Sequence, residues 1–302
     1  MINKVQKKTD VPLNEKELLN EYKKYQGNID PVDFVGVLLF CRTVFDRFVI
    51  KTAIDANDME DGRKWVLLKP TKYTSTNWKF TPSFEEEINK KVIKALSMLQ
   101  VTFRSRNYKI WLYDVLDWLY KKYAGNGNLS FDAEQYLYFL HNWMWNYYKG
   151  QNFDIDTTIP AGEMPSRENS YSQGTSTPHF LLNFIDYLYC CQEPTKYLSS
   201  FEFKYWNSVE HHLAQHKAAG EDVDCLGNLY LISRSANSRL SDRDVKEKVS
   251  FYKDKMMGPN RQIIYDMTEQ NNYEWKGKQI AKHYNDIVEL LGKCREILHI
   301  QE

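Results

Sequence analysis

The chain has 302 residues, long enough for one large domain or two ordinary ones. A hydrophobic share of 42% with 26% charged residues describes a folded chain rather than a disordered one. Forty basic residues balance forty acidic ones, which argues against a small, strongly basic nucleic-acid module while leaving room for a local basic face.

In chain order, Asn14–Tyr25 reads as a short charged helix. Asp30-Pro31 is a helix start, because aspartate caps free N–H groups and proline suits the first helical position. The apolar run from Pro31 to Ile54 is then expected to be one long, central helix. Residues 55–82 are rich in Asp, Asn, Lys and Thr and read as a long connection with a short strand at Trp65–Leu68. Ser83 opens a helix over 84–99 whose acidic first turn complements the helix dipole. Two aromatic helices follow, Ile110–Tyr123 and Phe131–Lys149, split by the turn-forming GNGNLS at 125–130.

Residues 150–178 are rich in Gly, Pro, Ser and Thr and suggest a linker or mobile loop. A functional loop over a neighbouring site is the alternative, since unstructured stretches of this length are uncommon inside domains. An apolar helix follows at 179–191. Phe201, Phe203 and Tyr205 alternate with polar residues, as in a half-buried strand that ends at Glu210-His211. LGNLYLIS at 226–233 reads as a second strand, Ser241–Lys255 as a helix, and Trp275–Leu298 as a last helical segment.

Composition adds three constraints. Aromatic residues make up 15% of the chain; rings such as Trp111, Trp118, Phe139 and Trp143 recur at helical spacing and are expected in a core, with base stacking as the functional alternative. Five cysteines, two of them adjacent and none in a CxxC pair, argue against a disulfide framework or a zinc site and suit a reducing cytoplasm. The N-terminus MINKVQKKTD lacks the apolar run of a leader, and no stretch approaches the ~20 apolar residues of a membrane span. Residues 234–261 hold eight basic residues (Arg234, Arg239, Arg243, Lys246, Lys248, Lys253, Lys255 and Arg261) against four acidic ones. Taken alone, that excess reads as an ordinary solvated helix.

Between 201 and 255 the order is strand, loop, strand, helix, with polar residues at its joints. Glu210-His211 closes the first strand. Asn228 lies 17 residues after His211, and Asn237-Ser238 lies in the turn nine residues beyond that. A Glu-His pair or a lone Asn has an ordinary explanation as a salt link or turn residue; the combined string is more specific. It resembles the HNH, or ββα-metal, nuclease motif. More narrowly, it is similar to the nuclease domain at the C-terminus of GmrSD-type modification-dependent restriction enzymes and their SspE-like relatives. Those carry S-I-E-H-I-x-P-Q, then G-N-L-x-L, then N-S, then a helix bearing a lysine. Here the pieces are Ser208 to Gln215, Gly227 to Leu231, Asn237-Ser238 and Lys248. Trp275 and Ile280 match the family's downstream segment, with His283 where arginine is usual. Ala214 and His212 depart from the pattern, which usually has proline and an aliphatic residue there.

The resemblance implies a mainly α protein with a small ββα-metal module, an α+β chain. Residues 1–177 would form a helical domain, with 150–177 as linker or mobile loop, and 178–302 the nuclease domain with flanking helices. It implies His211 as general base, because imidazole titrates near neutral pH, and Asn228 as the group orienting its ring. Glu210 and Asn237 would hold one divalent ion, Mg²⁺ or Mn²⁺, which prefers a few hard oxygen ligands and room for water. Lys248 or Arg234 would meet the phosphate. His212 and His216 are expected at the surface, and His141 as a satisfied core-edge histidine.

The activity implied is metal-dependent DNA endonuclease or nickase chemistry in anti-phage defence. A non-catalytic helical interaction module with a degenerate site, or an RNase, are the alternatives. The family's D-G-Q-Q-R signature is missing; Asp61-Gly62-Arg63 is a poor echo, and there is no Walker A motif. The chain is therefore expected to hydrolyse no NTP by itself and to act with a nucleotide-hydrolysing partner subunit or N-terminal domain.

Overall fold

A computed structural model describes residues 16–54, 63–104, 109–126, 131–217, 222–240, 243–252 and 256–301. Asp61-Gly62, residues 127–130 of the expected turn, and Lys253 and Lys255 of the basic run lie outside the described residues. The chain is mainly helical with short antiparallel hairpins, an α+β arrangement. It divides into two compact units, Met1–Tyr136 and Leu137–Glu302.

The first unit opens with α1 (Leu18–Tyr25) and α2 (Pro31–Phe48). Asp30 caps α2 as expected, its Oδ1 accepting from the N–H groups of Val32 and Asp33 at 2.9 Å each. The helix stops at Phe48 rather than continuing to Ile54. Val49, Ile50, Thr52 and Ile54 are β-branched and favour an extended backbone, and Lys51–Ile54 becomes strand β1. It pairs antiparallel with β2 (Arg63–Val66), Trp65 lying opposite Thr52. A second hairpin joins β3 (Leu68–Lys72) to β4 (Trp78–Pro82). The described part of the stretch read as a connection with one strand, 63–82, is thus mostly paired backbone. Nor is α2 central: Val44 and Phe48 are its buried residues, while Val32, Val35, Leu38 and Leu39 are exposed.

Helices α3 (Glu86–Thr102), α4 (Ile110–Asn126) and α5 (Ala133–Gln151) follow. Val92, Leu96, Leu99, Trp111, Val115 and Leu119 form the core of the first unit. Trp118 stacks on Tyr136 at 5.5 Å between ring centroids, and the Tyr136 hydroxyl donates to the Phe48 carbonyl at 3.0 Å. Trp111 and Trp118 therefore serve packing, as their helical spacing suggested.

In the second unit α6 (His179–Gln192) is buried from Phe180 through Cys190. A helix apolar on all sides belongs at a centre, and α10 (Pro259–Gln270), α11 (Gly277–Gly292) and β6 (Leu229–Ile232) all pack on it. The remaining short elements are α7 (Pro194–Tyr197), β5 (Ser208–His211), α8 (Arg234–Leu240), α9 (Val245–Tyr252) and α12 (Cys294–Ile297). Three sequence expectations change here. Residues 201–207 are extended but unpaired, and the ladder begins at Ser208; Phe201 and Phe203 are buried, so the alternation reported faces rather than a partner strand. The helix expected over 241–255 is α9, Val245–Tyr252, and α8 occupies 234–240, where a turn was expected. Helix α10 had no counterpart in the sequence reading. His141 is buried and satisfied at both nitrogens, by the Leu298 carbonyl at 2.8 Å and the Tyr187 hydroxyl at 2.7 Å.

Residues 150–177, expected as a linker or mobile loop, are stitched to the second unit. Ile155 and Ile159 are buried. The Asn285 amide brackets Ile159, accepting from its N–H at 2.7 Å and donating to its carbonyl at 2.9 Å. Leu226 N–H donates to the Tyr171 carbonyl at 2.9 Å, and Ser172 forms a bridge with Cys225. Gly and Pro mark the turns of this strap; its backbone hydrogen bonds hold it.

Gly227 tests how closely α11 approaches the hairpin. A Cβ there would run into the Ile280 carbonyl and the Tyr284 backbone nitrogen, which are rigid helix atoms. Gly227→Ala is expected to destabilise by about 1–3 kcal/mol, lowering Tm in a thermal melt by roughly 2–10 °C. An unchanged Tm would mean that α11 stands off from this turn.

Candidate active site

The site is built on the β5–β6 hairpin. Ser208 pairs with Ile232, Val209 with Leu231, Glu210 with Tyr230 and His211 with Leu229. All four residues of β6 are buried, which pins the register, since a one-residue slip would turn every side chain over. Helix α8 follows β6 directly, so the order is strand, strand, helix.

Asn228 ties the loop that leaves His211. Its Oδ1 accepts from Leu213 N–H at 2.9 Å and from Trp275 Nε1–H at 3.0 Å. Its Nδ2 donates to the carbonyls of Leu213 at 3.0 Å and Val223 at 2.8 Å. Asn228 was expected to orient the His211 ring; it instead fixes the backbone on either side of it. Trp275, singled out by the motif, is part of that fixture.

The group that meets the ring is Asp224, which the motif reading missed. His211 Nε2 lies 2.9 Å from Asp224 Oδ1. Burial alone would raise the Asp224 carboxyl, but hydrogen bonds from His211 and Gln215, with the nearby Arg167 charge, hold it below the usual carboxylate range. An ionised Asp224 accepts, so Nε2 carries the proton and Nδ1 presents the lone pair. Gln215 Nε2 donates to the same Oδ1 at 3.0 Å, and Arg167 on the strap lies 3.8 Å from Oδ2. Asp224 is placed by its neighbours: its N–H donates to Asp222 Oδ1, which also accepts from Ser172, and its carbonyl accepts from Gly174 N–H. Gly174 has φ of 52°, and a Cβ there would collide with the Asp224 carboxylate. The one sequence signal for this group is Asp222-Val223-Asp224, immediately before the motif's Cys225-Leu226-Gly227-Asn228.

Glu210 and Lys248 form a buried pair. Lys248, on α9, is 0% exposed. Its ammonium donates to Glu210 Oε1 at 2.7 Å and to the carbonyls of His211 at 2.6 Å and His212 at 3.1 Å. Three donors are therefore engaged inside the fold, and Lys248 does not meet phosphate as expected. His212 is likewise buried, not at the surface. Its ring packs against Tyr230, Tyr265 and Trp275, and Nε2 lies 2.9 Å from Thr268 Oγ1. Thr268 Oγ donates to the Ile264 carbonyl, so His212 Nε2 is the protonated nitrogen and Nδ1 is buried without a partner. Burial, then Lys248, Arg261 and His283, push the His212 pKa well down and keep the ring neutral. His283 is similar: its pKa falls to about 4, through burial first, and Nδ1 donates to the Gly227 carbonyl at 2.8 Å. His216 is exposed, as expected.

Asn237 sits within α8 rather than in a turn before a helix, and its Nδ2 donates to Ser208 Oγ at 2.5 Å. Ser208 and Glu210 are two apart on a strand, so Asn237 lies on the Glu210 side of β5. Arg234, at the start of α8, is exposed, as are Arg239, Arg243 and Lys246. Arg261 leaves the expected basic face: it is buried against the rings of Tyr230 and Tyr265, at 5.1 and 5.0 Å. Among the described residues no three His, Cys, Asp or Glu side chains converge as a metal cage, and no helix is long and apolar enough to cross a membrane.

The hairpin thus carries a histidine with an ionised orienting carboxylate, next to a second carboxylate and an amide, under an exposed basic helix. No curated protein and no solved structure gives a match to the chain. Residues 165–290, which hold the C-terminal part of the strap and, in full, the hairpin and α8 to α10, match the family model for GmrSD restriction endonucleases, C-terminal domain, and this segment is similar to the nuclease domain of that family.

Proposed function

We propose that this domain is an HNH-type, metal-dependent DNA endonuclease or nickase, the effector of a restriction or anti-phage defence system. The observation that carries it is the 2.9 Å contact between His211 Nε2 and Asp224. It leaves Nδ1 to take a proton from the attacking water, and Asp224 stabilises the imidazolium that results. Exposed Arg234 and Arg239 draw the phosphate to the hairpin. Asn228 acts on the reaction only through the backbone it fixes.

The residues fit a sparsely held hard cation. Lys248 takes one oxygen of Glu210 and leaves Oε2, and Asn237 engages Ser208 through its amide nitrogen and so keeps its oxygen. One carboxylate and one amide oxygen suit Mg²⁺ or Mn²⁺, which retain water and substrate oxygens. When bound, such an ion neutralises charge growing on the phosphate and the leaving oxygen.

A second reading rests on Lys248, whose ammonium beside Glu210 opposes a dication; it makes the site degenerate and the domain an interaction module. The two separate on supercoiled plasmid incubated with Mg²⁺ or Mn²⁺, with EDTA as control and matched DNA and RNA oligonucleotides alongside. Nicked or linear DNA with metal and none with EDTA is expected. Intact plasmid with every divalent ion would favour the degenerate site, and cleavage confined to RNA would make the enzyme an RNase.

A further inference from the structure

We propose that the β3–β4 hairpin of the first unit is a stacking surface for single-stranded nucleic acid. Residues 63–82 contain Arg63, Lys64, Lys69, Lys72 and Lys79 and no aspartate or glutamate, in a chain whose charges cancel overall. A local field of one sign attracts a polyanion. On this background the hairpin exposes large rings: Trp78 is 65% exposed and Phe80 71%.

The register puts these groups to one use. Trp78 and Phe80 alternate on β4 and so share a face, where Lys72 lies opposite Trp78 and Pro70 opposite Phe80. Lys79 is on the other face, its ammonium 4.8 Å from the Tyr73 ring centroid. The ribbon under the rings is firm. Thr71 and Thr81 share a cross-strand hydroxyl bond of 2.6 Å, Tyr73 N–H donates to the Asn77 carbonyl at 2.8 Å, and Lys69 anchors the base by donating to the Ser83 carbonyl at 3.1 Å. The rings are thus presented on a rigid scaffold at little ordering cost.

Aromatic faces stack on base faces, and duplex bases offer only their edges. Rings two residues apart on a strand are about 7 Å apart, twice the rise of about 3.4 Å per nucleotide in a duplex strand. They suit bases opened from the stack, with lysines beside them for the backbone phosphates. An apolar protein partner would explain the rings but not three lysines on the hairpin without one anion.

The inference rests on the nuclease reading only for the expectation that the chain meets DNA, and its test is kept apart from cleavage. Fluorescently labelled dT20 and a duplex of equal length are titrated with the full chain in EDTA, read by anisotropy. Trp78→Ala with Phe80→Ala is expected to weaken dT20 binding roughly 10- to 100-fold, with little change for the duplex. Tyrosine at both positions should restore binding. Lys72→Gln should flatten the log–log salt dependence by about 0.7, one phosphate contact. Both rings are exposed, so a thermal melt should show a near wild-type Tm. Equal dT20 affinity of the alanine variant and the wild type would overturn the surface and leave the face to a protein partner. Loss confined to the duplex would overturn the stacking role. Plasmid cleavage with metal, measured in parallel, judges the nuclease reading by itself.

Discussion

His211→Ala is expected to lower metal-dependent plasmid cleavage by roughly 10²- to 10⁴-fold, the usual contribution of a positioned general base. The ring packs at the end of β5, outside the central core around α6, so a near wild-type melting curve should accompany the loss. Asp224→Asn sharpens the test. An asparagine oxygen can still accept from His211 Nε2 and from Gln215, so the ring stays in place, but the side chain carries no charge to stabilise the imidazolium. Initial rates of supercoiled-plasmid loss should fall by about 10²-fold or more in this variant. If Asp224→Asn cleaves like the wild type, the Asp224 charge does not support the base; if His211→Ala does so, the base lies elsewhere.

The second large effect is on stability. Lys248→Met strands the Glu210 carboxylate in a nearly dry site and frees the His211 and His212 carbonyls. Breaking a buried pair by removing one partner costs about 3–5 kcal/mol, a Tm drop of roughly 10–15 °C for a unit of this size. Removing both charges, Lys248→Met with Glu210→Gln, should recover much of that loss, because an uncharged replacement needs no partner. A Lys248→Met melting point within a few degrees of wild type would restore Lys248 to the substrate-binding role that its motif position suggested. Double-variant stability no better than that of Lys248→Met alone would place the weight on the two carbonyl bonds instead of the ion pair.

Much of the second unit was legible in the residue string. Apolar runs at 179–191 and 229–232, Gly227 before the second strand, and Glu210-His211 at the end of the first are local signals, and the structure places each in or beside the expected element. Asn228 was found by its motif position but given the wrong contact, since spacing identifies a polar residue in a turn and not what the turn closes upon. His212 shows the same limit. A histidine beside the strand end looks solvent-facing in sequence, yet Tyr230, Tyr265 and Trp275 arrive from three separate elements to cover it. In the first unit the apolar stretch 31–54 was read as one helix because hydropathy does not separate a helix from a β-branched run whose strand partner lies across a connection.

The sequence by itself determined the two strands of the hairpin and the residue types at its joints, because an apolar run, a glycine before a strand and a polar strand end are signals that act over a few residues. Only the tertiary structure decided which side chains meet. Asp224 reaches His211 across 13 residues and Lys248 reaches Glu210 across 38. Both pairings depend on loop closure by Asn228, on the strap through Gly174 and on the packing of α9, none of which a linear pattern encodes. The hairpin histidine could therefore be named from the string, while the carboxylate that contacts it and the lysine that holds its neighbour emerged only from the packed chain.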